Sequence, residues 1–179
     1  REALEIDIDF ALHGDVGPAS RFALHAKPGD RLAISGPGGP DPMLQVAKHY
    51  YMAGDLTSLP AISAMAEVMT AEARGHIALL VPHQEDVQDL SLPEGVSLHW
   101  FVGTPDRTGP LVEHFTALPM AAEGSYFWFG GEEGLVVPLR RHVRRALEVD
   151  RSQVYAVPYW RSGKDEDAYH QDRHVVMDS

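Results

Sequence analysis

At 179 residues, 44% of them hydrophobic, the chain is long enough to bury one good core and too short for two full-sized independent domains, so it reads as one domain plus a fragment. With no cysteine it can hold no disulfide, no cysteine-ligated iron–sulfur cluster and no thioether-attached haem, so redox chemistry would need a non-covalently bound organic cofactor. A formal net charge of -11 argues against nucleic acid as a partner, and no apolar run approaches the roughly 18 to 20 residues that span a bilayer, so no membrane insertion and a cytoplasmic location are expected.

In chain order, the opening Arg1-Glu2-Ala3-Leu4 resembles neither a secretory signal nor a translation start and reads as a cut. Leu4, Ile6, Ile8, Phe10 and Leu12 alternate with Glu5, Asp7, Asp9 and Ala11, the period of a half-buried antiparallel strand with an acidic outer face. After the turn-rich His13-Gly14-Asp15-Val16-Gly17, Pro18 opens a short helix reaching Ala26. Lys27-Pro28-Gly29-Asp30 then turns into a second strand over residues 31–35. Two strands cannot close a barrel, so their remaining partners are expected elsewhere. Gly36-Pro37-Gly38-Gly39-Pro40-Asp41-Pro42 has the composition of a linker and divides residues 1–40 from residues 41–179.

Beyond the linker the pattern changes. Tyr50-Tyr51-Met52-Ala53, Ile77-Ala78-Leu79-Leu80-Val81, residues 96–101, Tyr126-Phe127-Trp128-Phe129 and Val154-Tyr155-Ala156-Val157 are short, nearly continuous apolar runs, as in strands buried on both faces. Helical stretches separate them over residues 59–69, weakly around Val87, then over 111–118 and 133–147. This alternation predicts an α/β domain with a doubly wound, parallel, five-stranded sheet. A last segment, 165–177, reads as a polar helix.

Ala53-Gly54-Asp55-Leu56-Thr57-Ser58-Leu59-Pro60-Ala61-Ile62 follows the first strand of that sheet and opens its first helix. Such a turn presents backbone N–H groups and the positive end of a helix dipole, where a cofactor pyrophosphate binds. Gly54 would permit close approach, and Thr57 or Ser58 could donate a hydroxyl. An ordinary capped turn has the same spelling, since no Gly-x-Gly-x-x-Gly fingerprint is present. Gly130-Gly131-Glu132 ends a late strand at the carboxyl edge where ligands bind, or simply starts a helix with Glu132 and Glu133 favouring its dipole.

The second strand ends Leu80-Val81-Pro82-His83 without a carboxylate that could accept ribose hydroxyls or repel a 2′-phosphate, while Glu85 and Asp86 lie just beyond it in sequence. Arg140, Arg141, Arg144 and Arg145 form a basic patch on one helix, either a solvated face or an anion-docking surface. His170 and His174 stand one helical turn apart in the polar tail, and the other histidines show no metal spacing.

Three segments together resemble the siderophore-interacting protein family: Asp7-Ile8-Asp9-Phe10-Ala11-Leu12-His13-Gly14-Asp15 running into Gly17-Pro18-Ala19-Ser20; the turn from Ala53 to Ile62; and Trp128-Phe129-Gly130-Gly131-Glu132 followed by Tyr159-Trp160-Arg161-Ser162-Gly163. The resemblance implies the last strands of an antiparallel FAD-binding β-barrel (1–40), then an NAD(P)H-binding domain with a helical tail (41–179). It implies electron transfer from NADPH, or NADH, through FAD to the iron of a ferric siderophore, with ferredoxin as an alternative donor. His13, Gly17, Pro18, Ala19 and Ser20 would then lie against the FAD phosphates. Gly54, Asp55, Thr57, Ser58, Gly131 and Glu132 would bind the nicotinamide cofactor, and Arg161 would meet the anionic substrate. No acid–base residue and no resident metal are required.

The family's earlier barrel strands, with their Arg-x-Tyr-Thr/Ser motif, have no counterpart in this sequence. Phe22 replaces the usual Trp, and Leu56 replaces a common acid. The alternatives are another flavin-dependent NAD(P)H reductase of the ferredoxin-reductase superfamily, or a non-catalytic nucleotide-binding fragment.

Overall fold

The structure, a computed structural model, describes residues 6–8, 10, 12, 15, 17–35, 38–164 and 169. The chain divides into two compact units, Arg1–Gly39 and Pro40–Ser179.

In the first unit the expected helix forms as α1 (Pro18–His25), started by Gly17 at φ +80°, a conformation that favours glycine. The turn after it is closed twice on Asp30: its N–H donates to Lys27 O (2.9 Å), and its carboxylate accepts from Lys27 N (2.8 Å). The two expected strands do not form among the described residues. Residues 31–35 join no strand among the described residues, and Leu32 and Ile34 are exposed, as are Ile6, Ile8 and Leu12. Leu4, Glu5, Asp9 and Ala11 lie outside the described residues. The physical reason is that period-two patterning gives a strand only where a neighbour takes up its backbone hydrogen bonds.

The second unit contains a five-stranded parallel sheet made of β1 (His49–Asp55), β2 (Arg74–Val81), β3 (Gly95–Val102), β4 (Ser125–Glu132) and β5 (Val154–Trp160), in the order β3-β2-β1-β4-β5. On one face Tyr51, Ala53, Phe127 and Phe129 pack against α3 (Gly109–Thr116) and α4 (Glu133–Arg141) through Leu111, Phe115, Leu135 and Leu139. On the other, Met52, Ile77, Leu79 and Trp128 pack against α2 (Leu59–Glu67) through Leu59, Ile62 and Met65. Every residue of β4 is buried, which explains why its sequence reads as an unbroken apolar run. Gly75 lets β2 start beside β1, since a Cβ there would lie 1.8 Å from Tyr50 O.

Two predicted helices come out differently. The weak one around Val87 is a single tight turn, Gln84–Asp86. The stretch 133–147 is α-helical only to Arg141 and then widens over His142–Ala146, where Leu147 N donates to His142 O, five residues back (3.3 Å). Pro138, which cannot donate an N–H, already interrupts the regular ladder of this helix. The tail segment 165–177 lies outside the described residues except Tyr169, as do His170 and His174. Among the described residues no helix is long and apolar enough to cross a membrane, and no group of three or more His, Asp or Glu is arranged to hold a metal ion.

Candidate functional site

The strand order reverses between β1 and β4, and the carboxyl ends of these neighbours define the crevice where open α/β sheets take ligands. Asp55 ends β1 there and is buried. One carboxylate oxygen, Oδ1, accepts from Thr57 N (2.9 Å) and Thr57 Oγ1 (2.6 Å). The other, Oδ2, accepts from Glu132 N at the end of β4 (2.7 Å) and Trp160 Nε1 at the end of β5 (2.9 Å). One buried carboxylate thus ties three strand ends together.

The glycines of the site are needed by the protein's own packing. An added Cβ at Gly54 would sit 1.9 Å from Ser58 Oγ, because Ser58 folds back and donates to Asp55 O (2.9 Å). Gly131, at φ +126°, brings its Cα against the Asp55 carboxylate, where a Cβ would meet carboxylate atoms at 2.6 Å. Ser58 is fully buried, and both expected hydroxyl donors, Thr57 and Ser58, are already committed within the turn. Gly54, Asp55 and Ser58 therefore shape the crevice floor, and Thr57 is the half-buried member of the turn.

Glu132 starts α4. Its side chain accepts from Gly134 N with one oxygen and from Ser162 N (3.1 Å) with the other, fastening the segment after β5 to the junction of β4 and α4. Arg161 Nη1 reaches Glu133 Oε1 at 3.4 Å, and the guanidinium is about half exposed. The second oxygen, Glu133 Oε2, is buried with no hydrogen-bond partner. Sequence reasoning assigned Glu133 only to the helix dipole; its unsatisfied acceptor depends on the position of Arg161, 28 residues away, which no local pattern encodes.

Tyr155 and Tyr159 stand on β5 beside Trp128, with Trp128 and Tyr155 stacked at 5.4 Å. Burial, reinforced by Tyr155 and more weakly by Asp55, pushes the Tyr159 phenol upward and keeps it protonated. At the end of β2, Asp86 is occupied by His83 N (3.0 Å), which leaves Glu85 as the exposed acid of the pair.

In the first unit, among the described residues, no side chain caps α1 and no acid occupies its first turn, over which Gly17, Pro18, Ala19 and Ser20 lie in sequence. An added Cβ at Gly17 would touch nothing within 4 Å, while Ser20 is the buried residue of the helix. His13 lies outside the described residues.

Comparison with known proteins bears on both units. Residues 47–163 match the family described as siderophore-interacting protein, and residues 1–41 the siderophore-interacting FAD-binding domain. Ferric vibriobactin reductase ViuB of Vibrio cholerae is 41% identical over 177 residues, covering 97% of this chain and 65% of that protein. An NADPH-dependent ferric-chelate reductase of Escherichia coli is 27% identical, covering 87% of this chain and 61% of that protein. The crystal structure of the siderophore-interacting protein SipS from Aeromonas hydrophila superposes with a TM-score of 0.89 at 78% identity, over 95% of this chain and 67% of that one. The chain therefore spans under two thirds of the length of these two curated relatives.

Proposed function

The chain belongs to the siderophore-interacting protein family, and from that premise we propose that it takes part in NAD(P)H-dependent, FAD-mediated reduction of a ferric siderophore, with release of ferrous iron. In this reading residues 41–179 bind the nicotinamide cofactor and residues 1–40 contribute the last part of the FAD-binding barrel. The carrying observation is the meeting of three strand ends on Asp55 at the reversal point of the sheet, where open α/β sheets take nucleotides.

Gly54, Asp55, Thr57 and Ser58 hold the turn under the nucleotide, with Asp55 and Ser58 acting through shape. Gly131 and Glu132 fix the far wall. Arg161, half exposed and paired with Glu133, meets the anionic ferric complex. His13 and residues 17–20 face the FAD phosphates.

When bound, the two cofactors supply hydride transfer and single-electron delivery; the protein supplies orientation and electrostatics. Reduction lowers the charge on the substrate iron and weakens its bonds to hard oxygen ligands, so ligand exchange completes release. We place the reaction in the cytoplasm, where NAD(P)H is regenerated, with NADPH as the favoured donor because β2 ends without a carboxylate.

The test uses the complete product of the encoding gene, loaded with FAD under anaerobic conditions. NADPH is expected to bleach the flavin absorbance, and a ferric siderophore to restore it while a ferrous-specific chelator develops colour. NADH and reduced ferredoxin serve as parallel donors. A flavin that is reduced but reoxidised only by free flavin or a ferredoxin would assign another reductase of the superfamily, and a protein that never takes up FAD would sink the proposal.

A further inference from the structure

Along α4, away from the carboxyl edge, the helix tail and the outer strand β5 enclose a groove of about 470 Å³. Arg140, Arg141, Arg144, Arg145 and Arg151 line it together with Val137 and residues 154–157. Among the described residues no carboxylate lines it, in a chain whose 26 acidic residues outnumber its 15 basic ones. Five of those cations are gathered in this one concavity. The widened turn over His142–Ala146 lets the tail depart from the straight helix, and Arg144 is held by donating from Nη1 to Val149 O (2.5 Å).

The arginines press on one another. Burial, then Arg141 and Arg151 beside it, lowers the Arg140 guanidinium from its ordinary value. Asp150 feels Arg144 but is committed to Ser152 N (2.8 Å) and Ser152 Oγ (2.6 Å). Like charges held together in a concave site raise the energy of the empty protein and favour an arriving anion. Guanidinium forks match phosphate and carboxylate oxygens two at a time, and the volume lies in the range of small-molecule sites.

We propose that this groove binds a small polyanion carrying two or more phosphate or carboxylate groups, at a site separate from the carboxyl-edge crevice. Arg140 to Arg145 lie seven to twelve residues beyond Glu133, about 10 to 18 Å along the helix at 1.5 Å per residue, so one small ligand does not reach both sites. A single phosphate would engage one or two of the arginines, whereas several linked anionic groups would span more of them, Arg141 and Arg145 included. An indented cavity suits a small molecule better than a flat acidic protein surface. The proposal does not rest on the reductase reading, and either can fail alone.

The test is calorimetry and thermal melting of the full chain with sodium tripolyphosphate, sodium citrate and sodium phosphate at fixed ionic strength. One-to-one binding of tripolyphosphate or citrate below about 1 mM is expected, at least tenfold tighter than phosphate. Preference between the first two tells phosphate from carboxylate ligands. The variant R141Q/R145Q, which alters two exposed arginines, is expected to melt no lower than the parent without ligand and to bind the polyanion at least tenfold more weakly. NADP+ in excess is expected not to displace it. Absence of saturable binding, binding unchanged in the variant, or displacement by NADP+ would each overturn the proposal.

Discussion

The Asp55 carboxylate accepts two donors at each oxygen, from its own turn on one side and from Glu132 N and Trp160 Nε1 on the other. Asp55→Ala removes the acceptor of the buried Glu132 N at the end of β4 and of the half-buried Trp160 Nε1 at the end of β5. Each unsatisfied group costs about 1 to 3 kcal/mol, so a loss of about 3 kcal/mol is expected, read from the urea midpoint at constant slope. Asp55→Asn should cost less than Asp55→Ala, because with its NH₂ turned to Thr57 the amide faces one obligate donor, Thr57 N, and a hydroxyl that can accept, while its oxygen still serves Glu132 N and Trp160 Nε1. A loss below about 1 kcal/mol in both variants would show that the knot does not hold the strand ends. Gly131→Ala collides with the same carboxylate and places an L side chain at φ +126°, for an expected cost of about 1 to 3 kcal/mol. In the Asp55→Ala background the collision is gone and only the backbone term remains, so a coupling of about 1 kcal/mol should appear in the double-mutant cycle. Sequence reasoning found Gly54, Asp55, Gly131 and Glu132 from their places at strand ends, yet read them as ligand contacts. The bonds of Asp55 to Glu132 and Trp160 span 77 and 105 residues, and Ser58 lies over Gly54, contacts that no local pattern encodes.

At the scale of elements, the strands were legible because a strand buried on both faces must be apolar throughout, as β4 is. Helix ends were less so, since a run such as 133–147 keeps its apolar period through a widened turn that only backbone geometry reveals. Histidines at 76, 99 and 114 have no spacing of note, yet β2, β3 and α3 bring them together: the rings of His99 and His114 are 4.5 Å apart, and His76 Nδ1 is 2.6 Å from Ser97 Oγ. Burial first, then His99, and for His76 also His114, lowers the pKa of both His76 and His114 below the ordinary 6.5. A histidine whose folded pKa is depressed binds fewer protons folded than unfolded, so its contribution to stability is complete above about pH 6.5 and is lost as pH falls through that value toward the folded pKa. Melting temperatures measured from about pH 8 down to about pH 5 should therefore drop below about pH 6.5. His99→Gln, an exposed change that removes the shared repulsion, should flatten the drop. An unchanged profile in that variant would mean that burial alone sets the shift.

The two units differ in how their apolar residues are used. In Pro40–Ser179 the central strands β1 and β4 are buried on both faces, and helices cover each side of the sheet. In Arg1–Gly39 the apolar side chains of Ile6, Ile8, Leu12, Leu32 and Ile34 are exposed, and residues 31–35 join no ladder among the described residues. The alternation of these residues was readable as strand pattern, because patterning is local. Whether a strand results depends on a neighbour, which no local pattern supplies. Amide hydrogen exchange on the 179-residue chain resolves this contrast directly. Amides of Met52 and Ala53 in β1 and of Phe127 to Phe129 in β4 should open only with global unfolding, the slowest class of exchange. Amides of residues 31–35 should exchange with little protection, within about 1 kcal/mol of the free-peptide rate. Slow exchange across 31–35 would require hydrogen-bonded pairing that the described residues do not contain, and would show that this segment finds a strand partner in solution.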